Sequence, residues 1–319
     1  MPTAHVRGAR LWYAAQGSGP ALLWIPGFGA GAAVTEPAVA RWSDRFTAVT
    51  YDHRGAARSP TRRLPASTAD LAADAAGLLS HLGIARAHVI GASMGGMVAQ
   101  ELALRFPERV RGLVLLSTTP GGPHAEPPTA QARRALLARL RGTRPDPARL
   151  EALLFAERTR REHPERVAEA LALLRAHPPP PAGAAAHLAA MALHDTERRL
   201  ARVRTPTLVV HGREDRIVPV SNARLLAARL PDVETALLDD AGHAAALERP
   251  EALARRLGDW LDRRFPAPPG PEPDPPPAPG ALAGLAPLPG ALARAPLTLW
   301  AQQRRRRARP RAEGPSGHR

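Results

Sequence analysis

The sequence predicts an α/β fold in which a mostly parallel sheet is flanked by helices. Apolar runs of strand length alternate with helix-like stretches through most of residues 1–264. The strand runs are almost continuously apolar, as expected where both faces of a sheet are covered. Alternation of strands and helices favours parallel strands, because each helix carries the chain back across the sheet.

The individual elements follow from these patterns. Six runs are predicted as strands, at 21–25, 46–51, 88–92, 112–117, 207–212 and 233–238, and helices are predicted at 67–83, 93–105, 221–230 and 250–263. Ser67 and Asp70 resemble a capping box at the start of the first helix, and Gly83 ends it. The opening stretch HVRGARLWYA predicts an antiparallel hairpin at the edge of the sheet.

Two regions depart from this alternation. Residues 120–200 contain no strand-like run and show helical pieces around 129–141, 147–161, 164–176 and 183–193. An all-helical insertion between two strands is expected to lie over the strand ends. The predicted organisation is therefore a core of residues 1–119 and 201–264 with a helical cap of residues 120–200.

Residues 265–319 are predicted to form a disordered tail that is first Pro-rich and then Arg-rich. Nine of the fifteen residues 266–280 are Pro, which favours an extended, unpacked chain. Further on, an apolar stretch precedes the run RRRR. This pattern is also compatible with weak binding to a membrane or a nucleic acid. Prolines interrupt that stretch, so we expect no membrane-spanning helix.

Composition narrows the classes of function. The net charge is +15 and all 44 basic residues are Arg, but they are scattered, and aromatic residues are only 4% of the chain. A nucleic-acid site would cluster its charges and place aromatic residues among them, so no nucleic-acid partner is expected.

The absence of cysteine excludes disulfides and thiolate catalysis. The N-terminal residues do not resemble a secretory signal, which predicts a cytoplasmic location. The oligomeric state is not predicted.

One serine is placed as a nucleophile would be. In HVIGASMGG a strand reverses at Ser93 into the helix MVAQELALRF. Such a nucleophile elbow strains its central residue and brings neighbouring backbone close, which glycine at positions 91 and 95 permits. The helix N-terminus directed at Ser93 would favour developing negative charge.

A serine hydroxyl needs a base to remove its proton and a carboxylate to orient that base. His243 lies in a glycine-containing loop between the last strand and the last helix. Asp215 follows strand 207–212 directly, with Glu214 beside it as the alternative acid. Loops after parallel strands meet at one edge of the sheet, so the predicted catalytic set is Ser93, Asp215 and His243.

The oxyanion of a tetrahedral intermediate also needs two backbone N–H donors. Met94, at the start of the helix after the serine, is one predicted donor. The glycine-rich loop WIPGFGAG supplies the other, with Phe28 as the candidate.

The stretches PGFG (26–29), YDHRGAARS (51–59), GASMGGMVAQ (91–100), HGREDRIVP (211–219) and AGHAAALERP (241–250) together resemble the α/β-hydrolase family. The resemblance covers about residues 1–264 and is to the branch of enol-lactonases, small carboxylesterases and cofactor-free haloperoxidase-like perhydrolases. It implies Ser93 as nucleophile, His243 as general base and then acid, and Asp215 as the orienting carboxylate.

Two positions depart from the pattern of that family. Pro26 stands where His usually precedes the oxyanion glycine, and Ala57 replaces a glycine of the run D-x-R-G-x-G-x-S. Neither position belongs to the predicted catalytic set. Asp52, His53 and Arg54 are interpreted as structural residues that tie a strand end to its loop.

The sequence therefore predicts a serine hydrolase that acts on a small carboxylic ester or lactone and needs no cofactor or metal. Perhydrolase or haloperoxidase-like chemistry with the same residues is an alternative, as is a non-catalytic ligand-binding homologue. An Arg of the cap could bind a substrate carboxylate, although Arg is abundant throughout the surface.

Overall fold

A computed structural model of the 319-residue chain describes residues 2–140 and 146–266. The predicted α/β fold with a mostly parallel sheet is confirmed. The predicted tail lies outside the described residues from residue 267 onward.

Eight strands form one sheet in the order β1-β2-β4-β3-β5-β6-β7-β8. Their bounds are β1 Thr3–Val6, β2 Ala9–Gln16, β3 Ala21–Ile25, β4 Thr47–Tyr51, β5 Ala87–Ala92, β6 Val110–Leu116, β7 Thr207–Gly212 and β8 Val233–Leu238. Strands β1 and β2 form the predicted antiparallel hairpin at one edge, and β2 pairs antiparallel with β4. Strands β4, β3, β5, β6, β7 and β8 pair in parallel, so their carboxyl ends share one edge.

Helices connect the strands. Their bounds are α1 Ala32–Ala40, α2 Thr68–His81, α3 Met94–Arg105, α4 Ala130–Leu140, α5 Pro147–Leu154, α6 Glu157–Glu162, α7 Pro164–Ala176, α8 Pro181–Ala192, α9 Ser221–Arg229, α10 Ala245–Glu248 and α11 Pro250–Arg264, with short 3₁₀ helices at Pro107–Arg109 and Glu197–Arg202. At the start of α2 the Ser67 hydroxyl accepts a hydrogen bond from the amide of Asp70, as the capping pattern predicts.

The sheet separates two apolar layers. Helices α2, α3 and α9 bury Leu71, Val98 and Leu226 on one face, and α1 and α11 bury Val39 and Leu257 on the other. This coverage of both faces explains why the strand sequences are almost continuously apolar.

Helices α4 to α8 lie between β6 and β7, in the region predicted to be all-helical. The predicted piece 147–161 is divided into α5 and α6. At this division the backbone N–H of Ala156 donates to Glu248 Oε2 at 2.7 Å instead of to a carbonyl within a helix. A distant carboxylate thus ends α5, which the local sequence does not reveal.

The last described residues pack against the core. The ring of Phe265 lies edge-on to His88, with centroids 4.6 Å apart, and to Trp260 at 5.5 Å. Ordered packing thus includes Phe265, the residue at which the predicted tail begins. In the part of the chain that the structure describes, every helix is too short or too polar to cross a bilayer.

Candidate active site

Strand β5 reverses into helix α3 at Ser93, as the sequence predicts. Ser93 has φ 55° and ψ −119°, a region of backbone space that non-glycine residues rarely occupy. Its amide donates to the carbonyl of Leu116 at 2.9 Å, and the Thr118 hydroxyl donates to its carbonyl at 2.7 Å. These bonds from the end of β6 hold the strained turn in place.

Two glycines allow the helix to approach the sheet at this turn. A Cβ on Gly91 would lie 2.3 Å from the carbonyl oxygen of Gly95. A Cβ on Gly95 would lie 2.1 Å from the carbonyl oxygen of Ile25, at the end of β3. Any side chain at either position would therefore push α3 away from the strands that it packs against.

Ser93, His243 and Asp215 form a continuous chain of hydrogen bonds. The Oγ of Ser93 lies 3.0 Å from His243 Nε2, and His243 Nδ1 lies 2.8 Å from Asp215 Oδ2. Asp215 follows β7 and His243 follows β8, so parallel pairing brings three distant segments to one edge of the sheet. With Nδ1 donating to the carboxylate, Nε2 can accept the proton of the serine hydroxyl.

Asp215 is buried, and its second oxygen is also occupied. Oδ1 accepts the amides of Ile217 and Val218 at 2.9 and 2.8 Å. Burial by itself would raise the pKa of this carboxyl, but the charge of His243 and hydrogen bonds from His243 and His211 lower the pKa to about 2. Asp215 is therefore a carboxylate at neutral pH. The alternative acid, Glu214, accepts the amide of Glu157 at 3.3 Å.

The predicted oxyanion donors lie beside the serine. Met94 is fully buried at the first position of α3. The loop that carries Phe28 runs against the elbow, because a Cβ on Gly27 would lie 3.3 Å from Ser93 Cβ. Phe28 lines both cavities that open at Ser93.

Asp52, His53 and Arg54 make the structural contacts that the sequence suggested. Asp52 Oδ1 accepts the amide of Ala32 at 2.6 Å, which joins the end of β4 to the start of α1. His53 Nε2 lies 3.0 Å from the carbonyl oxygen of Pro26. The guanidinium of Arg54 pairs with the buried carboxylate of Asp74.

Two cavities meet at Ser93 and His243. The first, which we call the inner cavity, has a volume of about 120 Å³ and is lined by residues that include Trp24, Thr35, Leu116, Ser117 and Leu247. The second, the cap cavity, has a volume of about 100 Å³ and is lined by residues that include Leu136, Leu150, Leu153, Met191 and Ile217. Leu154 and Leu174 border both. No charged side chain lines either cavity within the described residues.

Among residues 2–140 and 146–266, no group of three His, Asp or Glu side chains is arranged to hold a metal ion.

Comparison with known proteins identifies the family of this chain. A family model described as the α/β hydrolase fold matches residues 20–250. The chain belongs to this family.

Solved structures with the same fold include an enol-lactonase and an esterase. An enol-lactonase from Burkholderia xenovorans LB400 has a TM-score of 0.73 and 26% identity, covering 82% of this chain and 99% of that one. A thermophilic esterase from Thermogutta terrifontis has a TM-score of 0.70 and 28% identity, covering 82% and 97%. The similarity to α/β hydrolases of the enol-lactonase and esterase kind, predicted from the motifs, is confirmed.

Among curated proteins, 3-oxoadipate enol-lactonase 2 of Acinetobacter baylyi is 33% identical over 130 residues. The alignment covers 41% of this chain and 48% of that protein. The chain spans less than half the length of the curated relatives that it matches first.

Two residues of this α/β hydrolase that the sequence analysis did not single out contact the predicted catalytic residues or their loops. His211, within β7, has Nε2 2.9 Å from the carbonyl oxygen of Val218 and 3.3 Å from Asp215 Oδ2. Nε2 must therefore carry a proton and donate, which adds a second imidazole donor beside the carboxylate. Its position four residues before Asp215, at the end of a strand, is the only sequence signal of this role.

The second is Glu248, at the end of α10. Its two oxygens accept the amides of Gly242 and Ala156, each at 2.7 Å. It thereby connects the loop of His243 to the division between α5 and α6. Burial is the largest influence on this carboxyl and raises its pKa, although the hydrogen bonds from the amides of Ala156 and Gly242 act in the opposite direction. The sequence ALERP gives no sign of these distant partners.

Proposed function

We propose that this protein is a serine hydrolase that cleaves a small, uncharged carboxylic ester or lactone through an acyl-enzyme. The observation that carries the proposal is the hydrogen-bonded chain from Ser93 through His243 to Asp215 at the N-terminus of α3. The esterase and enol-lactonase among its structural relatives agree with this chemistry.

Acylation would begin with proton transfer from Ser93 Oγ to His243 Nε2 as Oγ bonds to the substrate carbonyl carbon. The electron pair of the C=O double bond moves onto oxygen, where the backbone N–H groups of Phe28 and Met94 would stabilise it. When this pair re-forms the carbonyl, the C–O bond to the leaving group breaks, and His243 gives its proton to the departing alkoxide.

Deacylation would repeat these steps with water. His243 removes a proton from water as the hydroxide oxygen bonds to the acyl carbon, and the proton then passes to Ser93 Oγ as the acid leaves. For a lactone the alkoxide stays joined to the acyl group, so the single product is a hydroxy acid. Asp215, ionised throughout because of its lowered pKa, would stabilise the imidazolium in each half-reaction.

The cavities support an uncharged substrate. Apart from Ser93 and His243, the polar side chains among the residues that line them are Thr35, Ser117 and the indole of Trp24. A carboxylate on the substrate would lose its hydration there without an Arg to replace it, which costs free energy. The suggestion that a cap Arg binds a substrate carboxylate therefore finds no support in the residues that line these cavities.

We also propose that residues 120–200 act as a cap that shapes the substrate site. Leu136 of α4, Leu153 of α5, Leu174 of α7 and Met191 of α8 line the cap cavity. These side chains contribute apolar surface to the cavity that opens at Ser93. The cytoplasmic location and the lack of a nucleic-acid partner stay predictions.

Hydrolysis of 4-nitrophenyl acetate and butanoate tests the proposal. We expect turnover by the wild type, loss of turnover in Ser93→Ala, and unchanged turnover in Ser80→Ala, which removes an exposed hydroxyl on α2. A fluorophosphonate probe should label Ser93 and leave Ser93→Ala unlabelled. Equal turnover by wild type and Ser93→Ala would refute the proposal, and absence of labelling would favour the non-catalytic alternative. Peroxide and bromide added to the same assay test the perhydrolase alternative.

A further inference from the structure

Two residues that line the inner cavity carry buried polar groups that the proposed mechanism does not use. Ser117 is 1% exposed and Trp24 is 2% exposed, and both line the cavity beside Ser93. Neither the Oγ of Ser117 nor the Nε1 of Trp24 has a hydrogen-bond partner among the described residues. Buried polar groups are normally paired, because an unpaired one loses its hydration without replacement.

The hydroxyl of Thr35, which lines the same cavity, shows the ordinary arrangement. Its Oγ1 donates to the carbonyl of Ala32 at 3.0 Å and lies 2.7 Å from the hydroxyl of Thr50. The lining of the cavity therefore includes one polar side chain that is bonded within the protein and two whose polar atoms have no partner among the described residues.

The backbone at Ser117 also carries strain. Ser117 follows the last residue of β6 and has φ 47°, in the left-handed region that a side chain disfavours. Its amide still donates to the carbonyl of Val210 at 3.0 Å, so the position is firmly held. The next residue, Thr118, donates to the carbonyl of Ser93. This turn thus supports the nucleophile and directly follows the strand end that borders the cavity. Strained non-glycine residues of this kind are concentrated at functional sites.

The chemistry of the two groups defines what they could bind. An indole N–H only donates, and a serine hydroxyl can donate. We infer that the inner cavity is a subsite for a second oxygen of the substrate, a keto, amide or ether oxygen, which accepts hydrogen bonds from Trp24 Nε1 and Ser117 Oγ. This inference rests on the proposed function, since it assigns the subsite to the ester or lactone that Ser93 attacks.

Such a subsite would select by hydrogen bonding where the rest of the cavity cannot. Aliphatic side chains discriminate weakly between substrates of similar shape, whereas a site that must pair its buried donors rejects an analogue that lacks the acceptor. The preferred substrate would then carry an uncharged oxygen on the arm that enters the inner cavity. The arm in the cap cavity would be purely apolar.

Two pairs of substrates with matched shape test the subsite on either arm of the ester. On the acyl arm, 4-nitrophenyl 4-oxopentanoate is compared with 4-nitrophenyl 4-methylpentanoate. On the alcohol arm, 2-oxopropyl acetate is compared with 2-methylpropyl acetate. In each pair a keto oxygen replaces a methyl group, and each kcat/KM is divided by the rate of alkaline hydrolysis to remove the difference in intrinsic reactivity.

We expect the wild type to prefer the keto substrate in at least one pair by about tenfold, the size expected for leaving buried donors unpaired. Ser117→Ala and Trp24→Phe should each reduce this ratio towards one. Thr35→Val should keep the ratio, because that hydroxyl is already bonded within the protein. Trp260→Phe removes an equally buried, unpaired indole N–H outside the cavity and should also keep it.

A ratio near one for the wild type in both pairs would overturn the inference, and so would a preference that survives in both Ser117→Ala and Trp24→Phe. If the alkyl esters are hydrolysed in a Ser93-dependent way without any keto preference, the subsite fails and the proposed function stands. If no ester of the set is hydrolysed, the proposed function fails and the subsite fails with it.

Discussion

Glu248 accepts a hydrogen bond from the backbone amide of Gly242, 2.7 Å from its Oε1, and Gly242 directly precedes His243. The loop of His243 is therefore held by a buried carboxylate. The second oxygen of Glu248 accepts the amide of Ala156, where α5 ends beside the cavities. We infer that Glu248 positions the loop of His243 and the division between α5 and α6 together.

Replacing Glu248 by Gln tests this positioning role. The amide side chain keeps the shape, but its NH₂ group would face one of two backbone N–H donors, so a buried donor loses its partner. We expect a loss of about 1–3 kcal/mol in the free energy of unfolding. We expect kcat to fall about tenfold with KM little changed, since displaced His243 would fit the transition state less well.

Urea denaturation and ester kinetics on the same preparations measure both effects. The matched control is Glu251→Gln in α11, whose side chain is 62% exposed. A Glu248→Gln protein with wild-type kcat would show that the loop of His243 is held by other contacts.

Asp215 and Glu214 are neighbours with different surroundings, and substitution separates their roles. Asp215→Asn would keep the shape of the side chain but present an amide to His243 Nδ1, which favours the wrong imidazole tautomer. By analogy with the Ser-His-Asp proteases, in which that substitution has been studied, we expect kcat to fall by about 10³–10⁴-fold. Glu214→Gln should change kcat less than about twofold, because Glu214 bonds to the amide of Glu157 instead. The reverse order of effects on kcat would make Glu214 the orienting acid.

Two glycine positions predict opposite responses to alanine. Gly95→Ala would place a Cβ 2.1 Å from the carbonyl oxygen of Ile25 and 2.7 Å from that of Pro26. Since both contacts are with backbone, we expect destabilisation of at least about 3 kcal/mol, or failure to fold. Gly258→Ala, within α11, meets only Trp42 at 3.9 Å and should stabilise the protein by about 0.5–1 kcal/mol. Melting temperatures of the two variants check the contrast, which equal shifts would contradict.

Buried histidines predict that stability falls in mild acid. Burial lowers the pKa of His88 from 6.5 to about 4, with smaller contributions from Arg111 and Arg86. Burial, followed by the charge of His187, lowers the pKa of His53 to about 3. Between these values and 6.5 the unfolded chain binds more protons than the folded one. The stabilisation is therefore complete above about pH 6.5 and is lost as the pH falls towards each folded pKa.

The free energy of unfolding, measured in urea at pH 7.5 and pH 5, tests this dependence. For His88 alone the loss over that interval is about 2 kcal/mol. His88→Phe, which keeps a ring beside Phe46 and Phe265, should reduce the loss by about that amount. His5→Gln changes an exposed histidine and should leave the loss unchanged. An unchanged loss in His88→Phe would show that this imidazole is protonated equally in both states.

The parts of this structure that the sequence predicted are those specified by local pattern. The strands, the hairpin and the helices other than α1 and α10 follow from hydrophobic periodicity, and the elbow at Ser93 follows from glycines that a close turn requires. Because parallel strands end at one edge, residues 93, 215 and 243 could be expected to meet. In the structure Ser93 Oγ lies 3.0 Å from His243 Nε2, and His243 Nδ1 lies 2.8 Å from Asp215 Oδ2. Their catalytic roles stay predictions.

Other features depend on contacts between residues that are far apart in the chain. The helix predicted at 147–161 is divided because Glu248 takes the amide of Ala156, 92 residues away. From the sequence, Ser117 is predicted to be the last residue of an apolar strand. Its left-handed backbone and its place in the lining of the inner cavity are visible only in the structure. Periodicity encodes which face of an element is buried, whereas the partner of a buried polar atom is decided when the elements pack.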